Sequence, residues 1–225
     1  MKYSLKNSLI VLGLFCIPSV VFGYTVVSSD IEVDTVWNKV GNPYVVEGEV
    51  SVFYGKVLTL NPGVIVKFKS GSSFFVDGSL KVLGIENEKV YLTSFSNDSV
   101  GGDSNSDGLL TNASSEYDWN VVVNGLYSEI HHADISFSEG LTIGKFTPIS
   151  NTNISYTFTN PAISVYGGLA LEQVTLDTGE SHGVLFGNFS KTLSVASSTI
   201  SGFSGNGIRV VDGGFLIQNS IIKNN

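Results

Sequence analysis

Five hexads in the second half of the chain share a pattern that few folds can accommodate. "IHHADI" from Ile130, "ISNTNI" from Ile149, "LEQVTL" from Leu171, "VASSTI" from Val195 and "IQNSII" from Ile217 all have an aliphatic first and sixth residue, and their starts are separated by 19, 22, 24 and 22 residues. In one straight strand, side chains alternate between faces, so residues one and six would point in opposite directions. The chain must therefore turn a corner inside each hexad. A period near 22 built from strands predicts a β-solenoid, in which each coil stacks ~4.8 Å above the last and buries its aliphatic residues in a common column. The third positions, His132, Asn151, Gln173, Ser197 and Asn219, lie near that corner. They are expected either to bond to the coils above and below as a polar ladder or to stand as exposed turn residues.

The first half is consistent with this reading. "YVVEGEVSVFYGKVLTLNPGVIVKFKSGSSFFVDGSLKVLG" is a series of short β-rich pieces, Val45–Val46, Val50–Val52, Val57–Leu60, Val64–Phe68, Phe74–Val76 and Leu80–Leu83, separated by turn residues. Such spacing also suits a β-sandwich; the 22-residue period favours the solenoid. With 42% apolar and 14% charged residues the chain is not disordered, and its 25 glycines fit many turns.

Residues 1–23 have the order of a secretory signal: Lys2 and Lys6, an apolar run from Leu9 to Val21, then Val21 and Gly23 as small residues before a cut. The run is shorter than the ~20 residues a membrane span needs and contains Pro18, so no span is expected after cleavage. Cys16 lies in this segment behind the bulky Phe15, which disfavours lipid attachment, and it is the one cysteine of the chain. Removing Lys2 and Lys6 leaves 10 basic against 20 acidic residues, a net charge of −10. Nucleic acid and anionic membranes are poor partners for that balance.

Taken with the hexads, "PYVVEGEVSVFYGKVLTLNPGVIVKF", "GSLKVLG", "VYLTSFSND", "GGDSNSDG" and "DWNVVVNG" follow an order that resembles bacterial exported right-handed parallel β-helix proteins of the pectin-lyase-like superfamily. The resemblance runs from about Trp37 to the end. "AISVYGG", "HGVLFGN" and "GIRVVDGG", each leading into a hexad, resemble its generic coils. Tyr117 departs from the glycine usual before Asp118–Trp119. The resemblance implies an all-β, right-handed parallel β-helix of roughly eight coils. It does not choose a function, because lyases, hydrolases, adhesins and passive stalks share the fold.

One segment interrupts the repeats. Residues 96–118 form a long excursion that includes "GGDSNSDG", with Asp103, Asn105 and Asp107 at alternate positions before Gly108. This spacing matches the first half of an EF-hand loop, but Ser114 stands where the bidentate Glu belongs and Glu116 is out of register, so a full EF-hand is rejected. Asp98, Asp103, Asn105 and Asp107 are the candidate metal ligands and calcium the candidate cofactor; the alternative is an unliganded turn, for which Asp, Asn, Ser and Gly are the default residues.

Catalysis on this scaffold needs acids stacked on successive coils. The column His131, Ser150, Glu172, Ala196, Gln218, the column Asp134, Asn153, Thr175, Thr199, Ile221 and the column Ser136, Ser155, Asp177, Ser201, Lys223 contain no such pair. No catalytic residue is assigned. Arg209 has no acid partner in these columns, and His182 in "SHG" reads as a turn residue, because no paired-aspartate motif accompanies it. His131 and His132 are adjacent on a strand and point apart, so they do not chelate one metal. Trp119, Tyr44, Tyr54, Phe74 and Phe75 are candidates for sugar stacking or for the core.

The expected organisation is a signal at 1–23, a lead-in and cap at 24–43, and a β-helix over 44–225 with its loop at 96–118. The expected role is a non-enzymatic, secreted or cell-surface protein of bacterial type that contacts extracellular polysaccharide or cell-surface glycan, adheres, or acts as a spacer. An enzyme acting on an acidic polysaccharide is the alternative. "GGFLIQNSIIKNN" ends without a cap, which raises the expectation of a fragment, or of self-association through the C-terminal coil.

Overall fold

The computed structural model describes residues 23–108 and 118–225. Residues 1–22, in which the signal is expected, and residues 109–117 of the loop, Ser114, Glu116 and Tyr117 among them, lie outside the described residues.

The chain winds as a right-handed parallel β-helix with three faces. The first face is a nine-stranded sheet of Thr25–Val27, Tyr44–Val46, Ile65–Phe68, Val90–Ser94, Ala133–Ser138, Asn153–Thr157, Thr175–Gly179, Thr199–Phe203 and Ile221–Lys223. From it each coil passes to the second face, which begins with Glu49–Val52, Ser73–Val76, Asn120–Val123, Leu141–Ile143 and Ile163–Val165. A corner then leads to the third face, with Thr35–Trp37, Val57–Leu60, Ser79–Leu83, Glu129–His131, Thr147–Ser150 and Leu169–Glu172. In the last coils Val184–Ala196 and Ile208–Gln218 run through both faces, joining them into one 13-stranded sheet. Nine coils result, against roughly eight expected, because the lead-in residues Thr25–Val27 and Thr35–Trp37 already pair into the ladders. Among the described residues, no helix is long and apolar enough to cross a membrane.

The hexads stack as their pattern requires. Ile130, Ile149, Leu171, Val195 and Ile217 form one register column, and Ile135, Ile154, Leu176, Ile200 and Ile222 form another. The corner between them is a single residue in the left-handed region: His132, Asn151, Gln173, Ser197 and Asn219 have φ of 47°, 49°, 55°, 50° and 49°. One such residue reverses the side-chain alternation and returns position six to the interior.

Among the described residues, the side-chain acceptors that take a corner backbone N–H from the neighbouring coil come not from these third positions but from the fourth. The Thr152 hydroxyl accepts from the backbone N–H of Ala133 at 3.2 Å, that of Ser198 from Val174 at 3.1 Å and that of Ser220 from Ser198 at 3.1 Å. A fourth-position side chain points inward, where an unpaired N–H would be costly, whereas the third position faces out and contributes its conformation.

A single hydrophobic cluster fills the prism. Near its N-terminal end aromatic rings pack in series: Tyr44 stacks on Trp37 at 4.4 Å, Trp37 meets Phe74 at 5.9 Å, Phe74 meets Phe68 at 5.0 Å, and Phe68 stacks on Trp119 at 4.1 Å. Tyr44, Phe74 and Trp119 are buried and belong to the core, not to a sugar platform. Tyr54, by contrast, is 87% exposed.

Candidate functional site

The loop leaves the first face after Ser94 and rejoins the second at Asn120. Its root is fixed by polar bonds beneath the surface: Asn97 Nδ2 donates to Thr93 Oγ1 at 2.9 Å, and Asn97 Oδ1 accepts from the backbone N–H of Ser99 at 3.2 Å. From there the chain folds back over the outer surface of the first face. Gly101, at φ +73°, leaves so little room that a β-carbon would lie 3.3 Å from Ile65 and 3.4 Å from Lys67.

Lys67 is thereby enclosed. Strand alternation sends Val66 and Phe68 inward and Lys67 outward, yet Lys67 has no exposed surface because the loop lies over it. Its Nζ donates to the carbonyl of Gly102 at 2.7 Å. Burial lowers its pKa to about 8, partly opposed by the negative charges of Asp98 and Asp103.

Above Lys67, Asp98, Asp103 and Asp107 converge, with one carboxylate oxygen from each lying within 4.8 Å of the others. Asp98 is buried, and among the described residues neither of its oxygens receives a hydrogen-bond donor. Burial raises its pKa, reinforced by Asp107 and Asp103 and opposed by Lys67. Asp103 organises the loop by accepting from the backbone N–H groups of Asp107 at 3.2 Å and Gly108 at 3.0 Å. Asn105 donates from Nδ2 to Asp107 Oδ2 at 2.8 Å. Three of the four candidate ligands are thus carboxylates facing one point, with Asn105 bracing the third. Lys67, at the centre of this arrangement, has no local sequence signal, since its position in the strand reads as solvent-facing.

The structure also shows a groove of about 700 Å³ at the corner between the second and third faces. Successive turns stack there, and its floor is backbone: a β-carbon on Gly125 would collide with the Gly78 carbonyl oxygen, and one on Gly78 with the carbonyl oxygens of Phe53 and Lys56. Tyr54 and Tyr127 rise from the coils flanking this floor, 87% and 82% exposed. Lys56, Lys145 and Asp77 line the groove.

The remaining candidates take structural roles. His131 bonds to Ser150 Oγ at 2.6 Å and to Glu129 at 3.1 Å, and Glu129 also pairs with Lys81 at 3.2 Å. His182 Nδ1 accepts from the backbone N–H of Asn206 at 2.8 Å, fixing a turn, and Arg209 lies 3.4 Å from its other ring nitrogen. The register reproduces the three columns read from the sequence, so no two acids follow one another in them.

Compared with known proteins, the chain matches no family model, no curated protein and no solved structure.

Proposed function

We propose that this is an exported, non-enzymatic β-helix protein of the bacterial pectin-lyase-like kind, acting at the cell surface or outside the cell, and that its corner groove holds an anionic glycan. The observation that carries this reading is the pair Tyr54 and Tyr127, both largely exposed on either side of a glycine floor with Lys56 and Lys145 in the same groove. Tyr127 holds φ at +64°, an uncommon conformation for a bulky residue and one that functional sites retain. Aromatic rings offer apolar faces for pyranose rings, and the ammonium groups complement sugar carboxylates or sulfates. A glycosidase needs two flanking carboxylates, and among the described residues lining this groove Asp77 is the one acid. The export assignment rests on the signal-like N-terminal sequence.

A glycan array probed with purified protein, with and without calcium, tests this reading. Acidic glycans should bind, and the Tyr54→Ala/Tyr127→Ala double variant should bind roughly tenfold or more weakly, given about 0.5–1.5 kcal/mol per ring contact. Absence of glycan binding, or release of reducing or unsaturated ends from a polymer, would overturn it.

A further inference from the structure

We propose that the loop over the first face binds one calcium ion through the carboxylates of Asp98, Asp103 and Asp107, a site separate from the glycan groove. An acidic cluster on a surface is ordinarily solvated and says little. This one differs in a specific respect: Asp98 is only 7% exposed, and among the described residues neither of its buried carboxylate oxygens receives a donor, its polar neighbour being the Asp107 carboxylate. Buried polar atoms are almost always satisfied, and a buried carboxylate that accepts no donor calls for a cation.

Charge accounting points to the valence of the missing partner. Three carboxylates meet at the site, and Lys67 beneath them supplies one positive charge while its Nζ is engaged with the Gly102 carbonyl. Two negative charges remain, which one divalent ion neutralises.

The ligand chemistry points to the ion. One oxygen from each acid lies within 4.8 Å of the other two. Oxygens ~2.4 Å from one ion lie at most ~4.8 Å apart, so the three can share a cation, and an irregular loop with flexible ligand geometry suits calcium, because magnesium demands stricter octahedral geometry. Loop backbone and ligands are already mutually arranged. Asp103 accepts N–H groups from Asp107 and Gly108 and keeps a free lone pair on each oxygen, as an ionised carboxylate can. Asn105 orients Asp107, and positive φ at Gly101, Gly102, Ser106 and Gly108 bends the backbone around the acids. Water completes the six to eight oxygens that calcium takes.

Isothermal titration of the chelator-treated full chain with calcium chloride, and separately with magnesium chloride, tests the assignment. One calcium per chain is expected, with a dissociation constant on the order of 10⁻⁴–10⁻³ M, as in extracellular modules, and weaker magnesium binding. Asp98→Asn and Asp107→Asn should each weaken calcium roughly tenfold or more by reducing ligand charge, with circular dichroism showing that both remain folded. Calcium should also slow proteolysis within the loop of the wild type and fail to do so in Asp98→Asn. No calcium uptake by the folded wild type, unchanged affinity in both variants, or equal affinity for magnesium would overturn the proposal.

Discussion

Lys67 Nζ and the carbonyl oxygen of Gly102 are joined by a hydrogen bond of 2.7 Å across 35 residues of sequence. The contact ties the loop to the outer surface of the first face and puts a cation under three carboxylates. Replacing Lys67 with Met should free the loop, because Asp98 and Asp103 would lose their compensating charge. The expected result is faster proteolysis inside the loop and a loss of about 1–3 kcal/mol in denaturant unfolding, the range for a hydrogen bond to a charged group and its desolvated partner. Unchanged cleavage would show that the bond does not hold the loop.

The inward hydroxyl ladder gives a cleaner test of coil-to-coil bonding. Thr152 Oγ1 accepts from the Ala133 N–H and donates to the Ser150 carbonyl at 2.8 Å. Thr152→Val keeps the shape, and Val174 already occupies the equivalent buried position in the next coil. Stability should fall by about 1–3 kcal/mol because a buried N–H loses its acceptor, read as a lower denaturation midpoint at constant slope.

At the corners conformation matters more than side-chain chemistry. Gln173 is exposed and sits at φ 55°, so Gln173→Gly should stabilise by up to about 1 kcal/mol, while Gln173→Val should destabilise by about 1–2 kcal/mol through its branched β-carbon. Thermal melts of the two variants should move in opposite directions.

Asp134 provides the pH test. Burial raises its pKa, only partly offset by Lys89 and by a hydrogen bond from Asn153. A carboxyl raised in the folded state favours folding while protonated, so its contribution is full below the ordinary unfolded value near 4 and is lost as pH rises through the folded value. Asp134→Asn should therefore raise the melting temperature at about pH 7 and leave it nearly unchanged at about pH 3. An equal shift at both would assign the effect to packing.

How far these features could be read from the sequence differs from one to the next. The hexads place the corner at the third residue because alternation forbids two inward aliphatics five apart on a straight strand, and the left-handed φ of His132 through Asn219 is the geometry that resolves it. The same reasoning could not tell that Thr152 and Ser198, one residue later, hold the coils together, since inward hydroxyls and outward ones look alike in a turn. Asp103 and Asp107 were visible from their spacing, and Asp98 from its place in the same excursion. Lys67 was not, because alternation makes it an outward lysine and only the folded-back loop buries it. The groove was hidden for a related reason: Tyr54 and Tyr127 belong to coils far apart in sequence, and an exposed tyrosine has the same local context as a buried one.

The strand Ser73–Val76 pairs residue for residue with Asn120–Val123, without a register shift, although the whole loop departs and returns between their coils. The ladder is therefore indifferent to what emerges at that corner. Closing a longer excursion costs little, about 0.6 kcal/mol for each doubling of length, so evolution or an engineer can lengthen, shorten or exchange the insert while the stem is conserved. The stem then serves as a socket, and a new specificity at this corner requires no redesign of the prism that carries it.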